Sequence, residues 1–214
     1  MKIESYTVGA FQENCYLVID DATRRAVLVD PGAEGERLVA AVEASGATLE
    51  AIWLTHAHVD HVGGIAAVKR RWDVPIHLHP ADEPLYRNAD RQAAVYGLPF
   101  ETLPAAERAL GDGDVLGVGG LSFRVMHAPG HSPGLCVFVG EGVALAGDLL
   151  FAGSVGRTDL PLSDPGRMRD SLARLDELAG ETVVYPGHGP ATTIDEERRS
   201  NPFLSGVARV PLRR

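Results

Sequence analysis

Thr55-His56-Ala57-His58-Val59-Asp60-His61 follows directly on an apolar run at residues 51–54 and is backed by Gly63-Gly64. Four potential ligands therefore stand on a loop at the end of a strand. Residues two apart on an extended segment share a face, so His56 and His58 can converge on one ion. A short loop can then curl and swing Asp60 and His61 towards a neighbouring ion. Imidazole and carboxylate are ligands that suit Zn²⁺, Fe²⁺ or Mn²⁺. The plainer reading is a solvated polar loop that happens to hold histidines. Three histidines and an aspartate within residues 56–61 speak against it.

Outward from this stretch the same placement recurs. His131 lies in the turn Ala128-Pro129-Gly130-His131-Ser132-Pro133-Gly134. Asp148 ends the apolar run Val143-Ala144-Leu145-Ala146-Gly147, and His188 lies in Tyr185-Pro186-Gly187-His188-Gly189. An isolated His or Asp in a turn is usually structural; repetition after buried strands is what marks these. Asp30, in the turn Asp30-Pro31-Gly32, reads as a residue behind the ligands that orients an imidazole. His77, His79 and His127 remain over and read as structural.

Short strands are expected at residues 3–8, 14–19, 26–29, 49–54 and 74–78, with helices at 36–44 and 64–72 between them. The second half repeats the pattern, with strands at 122–126, 135–139, 143–146 and 182–185 and a helix at 166–178. Residues 81–110 are polar and broken by Pro84, Pro99 and Pro104. They read as a helical or irregular surface excursion, open to facing a substrate. Periodicity supports a mixed α and β fold, with residues 1–214 as one domain.

Bulk numbers narrow the function. A formal charge of −9 over 214 residues argues against a nucleic-acid binder, whose phosphate contacts need a basic surface. No apolar stretch reaches membrane-spanning length, and the N-terminal residues lack the pattern of a secretory signal. Cys15 and Cys136 each sit in an apolar run and read as buried core thiols. A cytoplasmic location is expected.

The ligand pattern resembles the metallo-β-lactamase superfamily, whose signature is a His-x-His-x-Asp-His loop followed by a His, an Asp and a His. The resemblance runs over nearly the whole chain and implies a four-layer αββα sandwich. It also implies that one metal takes His56, His58 and His131, that the other takes Asp60, His61 and His188, and that Asp148 bridges both. Two divalent ions follow, zinc first, with iron or manganese open. A pair of such ions can hold a hydroxide at neutral pH and polarise a carbonyl, with Asp60 as the catalytic carboxylate that aims it. True β-lactamases lack the bridging Asp and are exported, so antibiotic hydrolysis is disfavoured.

Gly147-Asp148-Leu149-Leu150-Phe151, Gly156-Arg157-Thr158-Asp159-Leu160-Pro161 and the ending Arg198-Arg199-Ser200-Asn201-Pro202-Phe203 are similar to short bacterial glyoxalase II-like hydrolases. The resemblance implies a small-molecule thioester substrate such as S-lactoylglutathione. Longer glyoxalase II enzymes add a helical domain that helps hold glutathione. Here carrier recognition must come from residues 81–110 or from the loop at 153–161. Arg157 and Asp159 read as a pair that stabilises that loop. The rival is a persulfide dioxygenase of the same superfamily, using one Fe²⁺ on His56, His131 and Asp148.

Overall fold

The structure, a computed structural model, describes residues 1–208 and 210. The first sheet takes β1 (Lys2–Val8), β2 (Glu13–Ile19), β3 (Arg25–Val29), β4 (Thr48–Trp53), β5 (Ile76–Leu78) and β6 (Arg108–Ala109), in that order. Its first three strands are antiparallel neighbours, whereas β3 to β6 pair in parallel. The second sheet begins with β7 (Val115–Val118), β8 (Leu121–His127), β9 (Cys136–Gly140) and β10 (Val143–Gly147). A small hairpin of β11 (Leu150–Phe151) and β12 (Ser154–Val155) intervenes before β13 (Val183–Pro186) and β14 (Thr192–Thr193). The sheet order is β14-β13-β10-β9-β8-β7.

Side-chain alternation sorts these strands into layers. Every residue of β2 is buried, and after Glu13 and Asn14 it runs apolar from Cys15 to Ile19 because both faces are covered. Tyr16 and Val18 point inward with Val27, Val29 and Trp53, meeting Phe123, Val125 and Phe138 of the second sheet. The Trp53 ring lies 5.6 Å from Phe123 and 5.4 Å from Phe138. Leu17 and Ile19 point the other way. With Leu28 and Ile52 they meet α1 (Gly35–Ser45) through Leu38 and Val42, and α3 (Ile65–Arg71) through Ile65 and Val68. The i, i+4 spacing of Leu38 and Val42 gives α1 its apolar stripe, and Gly46, at φ 66°, ends the helix in the left-handed conformation that favours glycine.

The outer face of the second sheet presents Met126, Val137, Ala144 and Ala146. They meet Met168 and Leu172 of α6 (Pro165–Ala173) and Ile194 of α7 (Ile194–Ser200). Asp164 starts α6 by accepting from the N–H groups of Gly166 and Arg167. Two sheets face to face with helices outside make the expected αββα sandwich, a metallo-β-lactamase fold.

The expected strands of both sheets and the helices flanking them are present. The helix expected at 166–178 ends earlier, at Ala173, and continues as a 3₁₀ turn over Arg174–Glu177. β6, β7, β14 and α7 were not anticipated. Residues 81–110 carry two short helices, α4 (Glu83–Arg87) and α5 (Ala89–Tyr96), before an irregular return. Among the described residues, no helix is long and apolar enough to cross a membrane.

Direction matters for the site. β3 and β4 run in parallel, as do β10 and β13, while β8 and β10 share a direction because both are antiparallel to β9. The loops leaving β3, β4, β8, β10 and β13 carry Asp30, residues 56–61, His131, Asp148 and His188 respectively. Trp53 fills the space between the sheets just before this edge. Trp53→Ala is expected to cost about 3–5 kcal/mol, read as a lower midpoint in denaturant unfolding.

Candidate metal centre

Beyond β4 the chain bends at Thr55 and reaches His58 in an extended conformation, φ −70° and ψ 151°, with His56 and His58 brought to one side. The chain then makes a single helical turn, α2 (Val59–Val62). Successive residues on such a turn differ by about 100° in direction, which sends Asp60 and His61 elsewhere. Nitrogen atoms of His56, His58 and His131 come within 4.8 Å of one another, and ligand atoms of Asp60, His61 and His188 form a second such group. Asp148 stands between the groups. Its Oδ2 is 3.3 Å from His131 Nε2 and 3.7 Å from His188 Nε2, and its Oδ1 is 3.4 Å from His61 Nε2. Asp60 Oδ2 approaches His188 Nε2 at 3.3 Å. All seven side chains singled out from the sequence thus converge.

The donor set fits cations. His56 Nε2, His61 Nε2 and Asp148 Oδ1 are buried without a hydrogen-bond partner, a condition that ordinarily costs about 1–3 kcal/mol per group. His58 Nδ1 and His131 Nε2 face each other at 2.8 Å. The opposite ring nitrogens are tied back. His61 Nδ1 meets Asp30 Oδ2 at 3.0 Å, His131 Nδ1 meets the Arg157 carbonyl at 2.8 Å, and His188 Nδ1 meets the Phe11 carbonyl at 3.1 Å. Donation to an oxygen behind the ring fixes the tautomer and turns the other nitrogen's lone pair inward. His56 Nδ1 lies 3.0 Å from Thr55 Oγ1, whose own proton goes to Asp30 Oδ2. This is a His and Asp cluster suited to a dinuclear metal site.

Electrostatics divides the cluster. Burial, reinforced by neighbouring imidazoles, pushes His56 well down and His58 down to about 3, which favours the neutral rings. Burial also opposes charge on His61, but the Asp148 and Asp60 carboxylates outweigh it and raise that ring well above its usual range. Burial would raise Asp60 and Asp148, yet the surrounding imidazoles hold both below the ordinary carboxylate range.

Residues 8–188 match the sequence pattern of the Metallo-beta-lactamase superfamily. The chain belongs to that superfamily. It is 39% identical to the hydroxyacylglutathione hydrolase GloC of Haemophilus influenzae, over 96% of this chain and 99% of that protein. Among solved structures it resembles TTHA1623 in a di-iron-bound form, at 47% identity and TM-score 0.88, over 94% of this chain and 100% of the other. The B3 metallo-beta-lactamase BLEG-1 is similar at 36% identity and TM-score 0.89, over 96% and 100%.

In this member of the superfamily the ligand loops are held by residues that the sequence did not single out. Asp82, fully buried, accepts from Ala57 N–H at 3.0 Å, Ser132 O–H at 2.7 Å and Gly134 N–H at 2.6 Å. It therefore couples the His56 loop to the His131 turn. Asn14 donates to the carbonyls of Pro186 and Gly189, and Tyr16 donates to Pro186 at 2.6 Å, which fastens the His188 loop to β2. Glu13 lies buried beside His61, with Oε1 3.8 Å from Nδ1. No spacing rule marks Asp82, Asn14 or Glu13, because each works on a segment distant in sequence. Gly187 has a local reason: a Cβ there would sit 2.2 Å from Asp148 Oδ1.

Asp30 lies against Thr55 and His61, and its carboxylate forms a third group with His56 and His61, ligand atoms again within 4.8 Å. One oxygen accepts from Thr55 N–H at 2.7 Å and the other from Thr55 O–H and His61. His77 pairs within the first sheet between Trp53 and Arg108, and His79 stacks on His127 at 3.9 Å. Among the described residues, His77, His79 and His127 belong to no such group. Both cysteines are free and buried. A cleft of about 510 Å³ opens over the cluster, walled by Leu85 and Tyr96 from the excursion at 81–110 and by Val155, Arg157 and Leu160 from the loop at 153–161. Arg157 pairs bidentately with Asp159 at 2.7 and 2.8 Å. Asp30→Ala is expected to weaken metal binding about 10–100-fold, whereas His77→Ala retains full metal content; titration against a competing chelator checks both.

Proposed function

We propose that this chain is a two-metal hydrolase that cleaves a thioester such as S-lactoylglutathione. In this reading His56, His58 and His131 hold one ion and Asp60, His61 and His188 hold the other, with Asp148 shared between them. The observation that carries it is the position of Asp148, within 3.7 Å of histidines from both groups. The ions are zinc in the first instance, and the di-iron form of TTHA1623 makes iron the alternative to measure.

Held by these residues, two such cations would supply a water of lowered proton affinity and a polarised carbonyl, so that no Ser or Cys nucleophile would be needed. Asp60 accepts a hydrogen bond from the attacking water and aims it at the carbonyl. A C–O bond forms, the C–S bond breaks, and the thiolate leaves. Thiols ionise near neutral pH, so that departure needs no separate proton donor. An amide nitrogen would need one. The likeness to GloC over nearly the full length of both chains supports the thioester, and the likeness to BLEG-1 makes a β-lactam the amide worth assaying beside it.

The dioxygenase reading uses one iron on His56, His131 and Asp148. It leaves without a task the second group, in which the Asp60, His61 and His188 ligand atoms come within 4.8 Å of one another. That group favours the hydrolase. Metal analysis is expected to find two equivalents per chain, with hydrolysis of S-lactoylglutathione lost to a chelator and restored by Zn²⁺. A single iron with oxygen uptake on glutathione persulfide would establish the rival instead. Asp60→Ala and Asp148→Ala should each lower kcat by roughly 10²–10⁴-fold in a folded protein, judged by circular dichroism.

A further inference from the structure

The wall of the cleft beyond the metal cluster is apolar. Phe11, Leu85, Val95, Tyr96, Phe151 and Val155 line it. Phe11 and Tyr96 meet edge to face at 5.0 Å across the mouth, joining the loop after β1 to the end of α5. These side chains are kept open to solvent at a cost: Val95 is 80% exposed, Tyr96 51% and Phe11 39%. Clustered exposed apolar side chains mark a surface that something covers.

The polar groups in the same wall are engaged elsewhere. Gln92 accepts from Val59 N–H at 3.2 Å through Oε1 and donates to the Leu85 carbonyl at 3.0 Å through Nε2. Ser154 adds an uncharged hydroxyl. Outside the metal cluster, Arg157 is the one cation among the described lining residues, and Asp159 grips it with two hydrogen bonds. Glutathione carries two carboxylates and coenzyme A several phosphates. A wall built to grip such a carrier would present unengaged basic side chains; this one offers apolar area.

We infer that the site selects its substrate through an apolar acyl group, so that thioesters of medium-length aliphatic or aryl acids are hydrolysed in preference to the small, hydroxylated lactoyl thioester. The inference rests on the thioesterase reading above and specifies its substrate class. The acyl chain lies along Val95, Tyr96 and Phe11, and the thiol carrier extends into solvent with little contact. Each methylene buried is worth about a fourfold factor in binding.

The test uses the metal-loaded enzyme on glutathione thioesters that differ only in the acyl group: lactoyl, acetyl, hexanoyl and phenylacetyl. We expect kcat/KM to rise about tenfold or more from acetyl to hexanoyl. Replacing glutathione by N-acetylcysteamine in the hexanoyl ester should change kcat/KM by less than about threefold. Val95→Asp, at a position too exposed to disturb the core, should lower the hexanoyl-to-acetyl ratio about tenfold. A flat series, a preference for lactoyl, or a steep loss with N-acetylcysteamine would overturn the apolar-acyl inference while leaving the thioesterase reading intact. No hydrolysis of any member, by enzyme shown to carry two metal equivalents, would remove the thioesterase reading itself and this inference with it.

Discussion

Buried lone pairs cannot be crowded together without positive charge among them. Five imidazoles and two carboxylates meet at one edge of this sandwich, and three of their inward atoms have no hydrogen-bond partner among the described residues. Everything else in the architecture follows from the need to bring these atoms together and hold them. The outward ring nitrogens of His61, His131 and His188 are spent on a carboxylate or carbonyl oxygen, which fixes the orientation of those three rings. The cluster is ordered from behind.

The sandwich meets that need by geometry of direction. Five strands deliver their following loops to the same edge, two of them side by side in the first sheet and three in the second. Apolar alternation on those strands locks the sheets face to face through Trp53, Phe123 and Phe138. A one-residue slip of any strand would turn its apolar set to the wrong layer, and would carry the ligand at its end away from the others. Packing and metal geometry are thereby the same constraint read at two places.

Much of this was legible in the residues. The extended-then-turned course of residues 56–61, the strands before His131, Asp148 and His188, and the core alternation of β2 and β4 all rest on local pattern, which a chain displays openly. Asp30 was also within reach, since a turn aspartate after a buried strand is a recognisable type. What escaped was non-local or short. β6 and β14 have two residues each, too few to show a period. β7 carries Gly117 and one buried residue, so it looks like loop. Asp82 lies in a proline-broken segment of weak pattern, and its three hydrogen bonds reach residues 25 to 52 positions away. Asn14 and Tyr16 sit in a strand whose apolar residues read as core, and their polar ends serve a loop some 170 positions distant.

That last pair of contacts bears on how the protein matures. The His188 loop is secured by the second strand, so the cluster is complete only when segments some 170 residues apart have joined. Contacts of such long sequence separation form late, because the intervening chain must first give up its freedom. Where cation binding is linked to folding, the seven side chains can meet only after that long-range joining, so the cluster forms with the fold and not ahead of it.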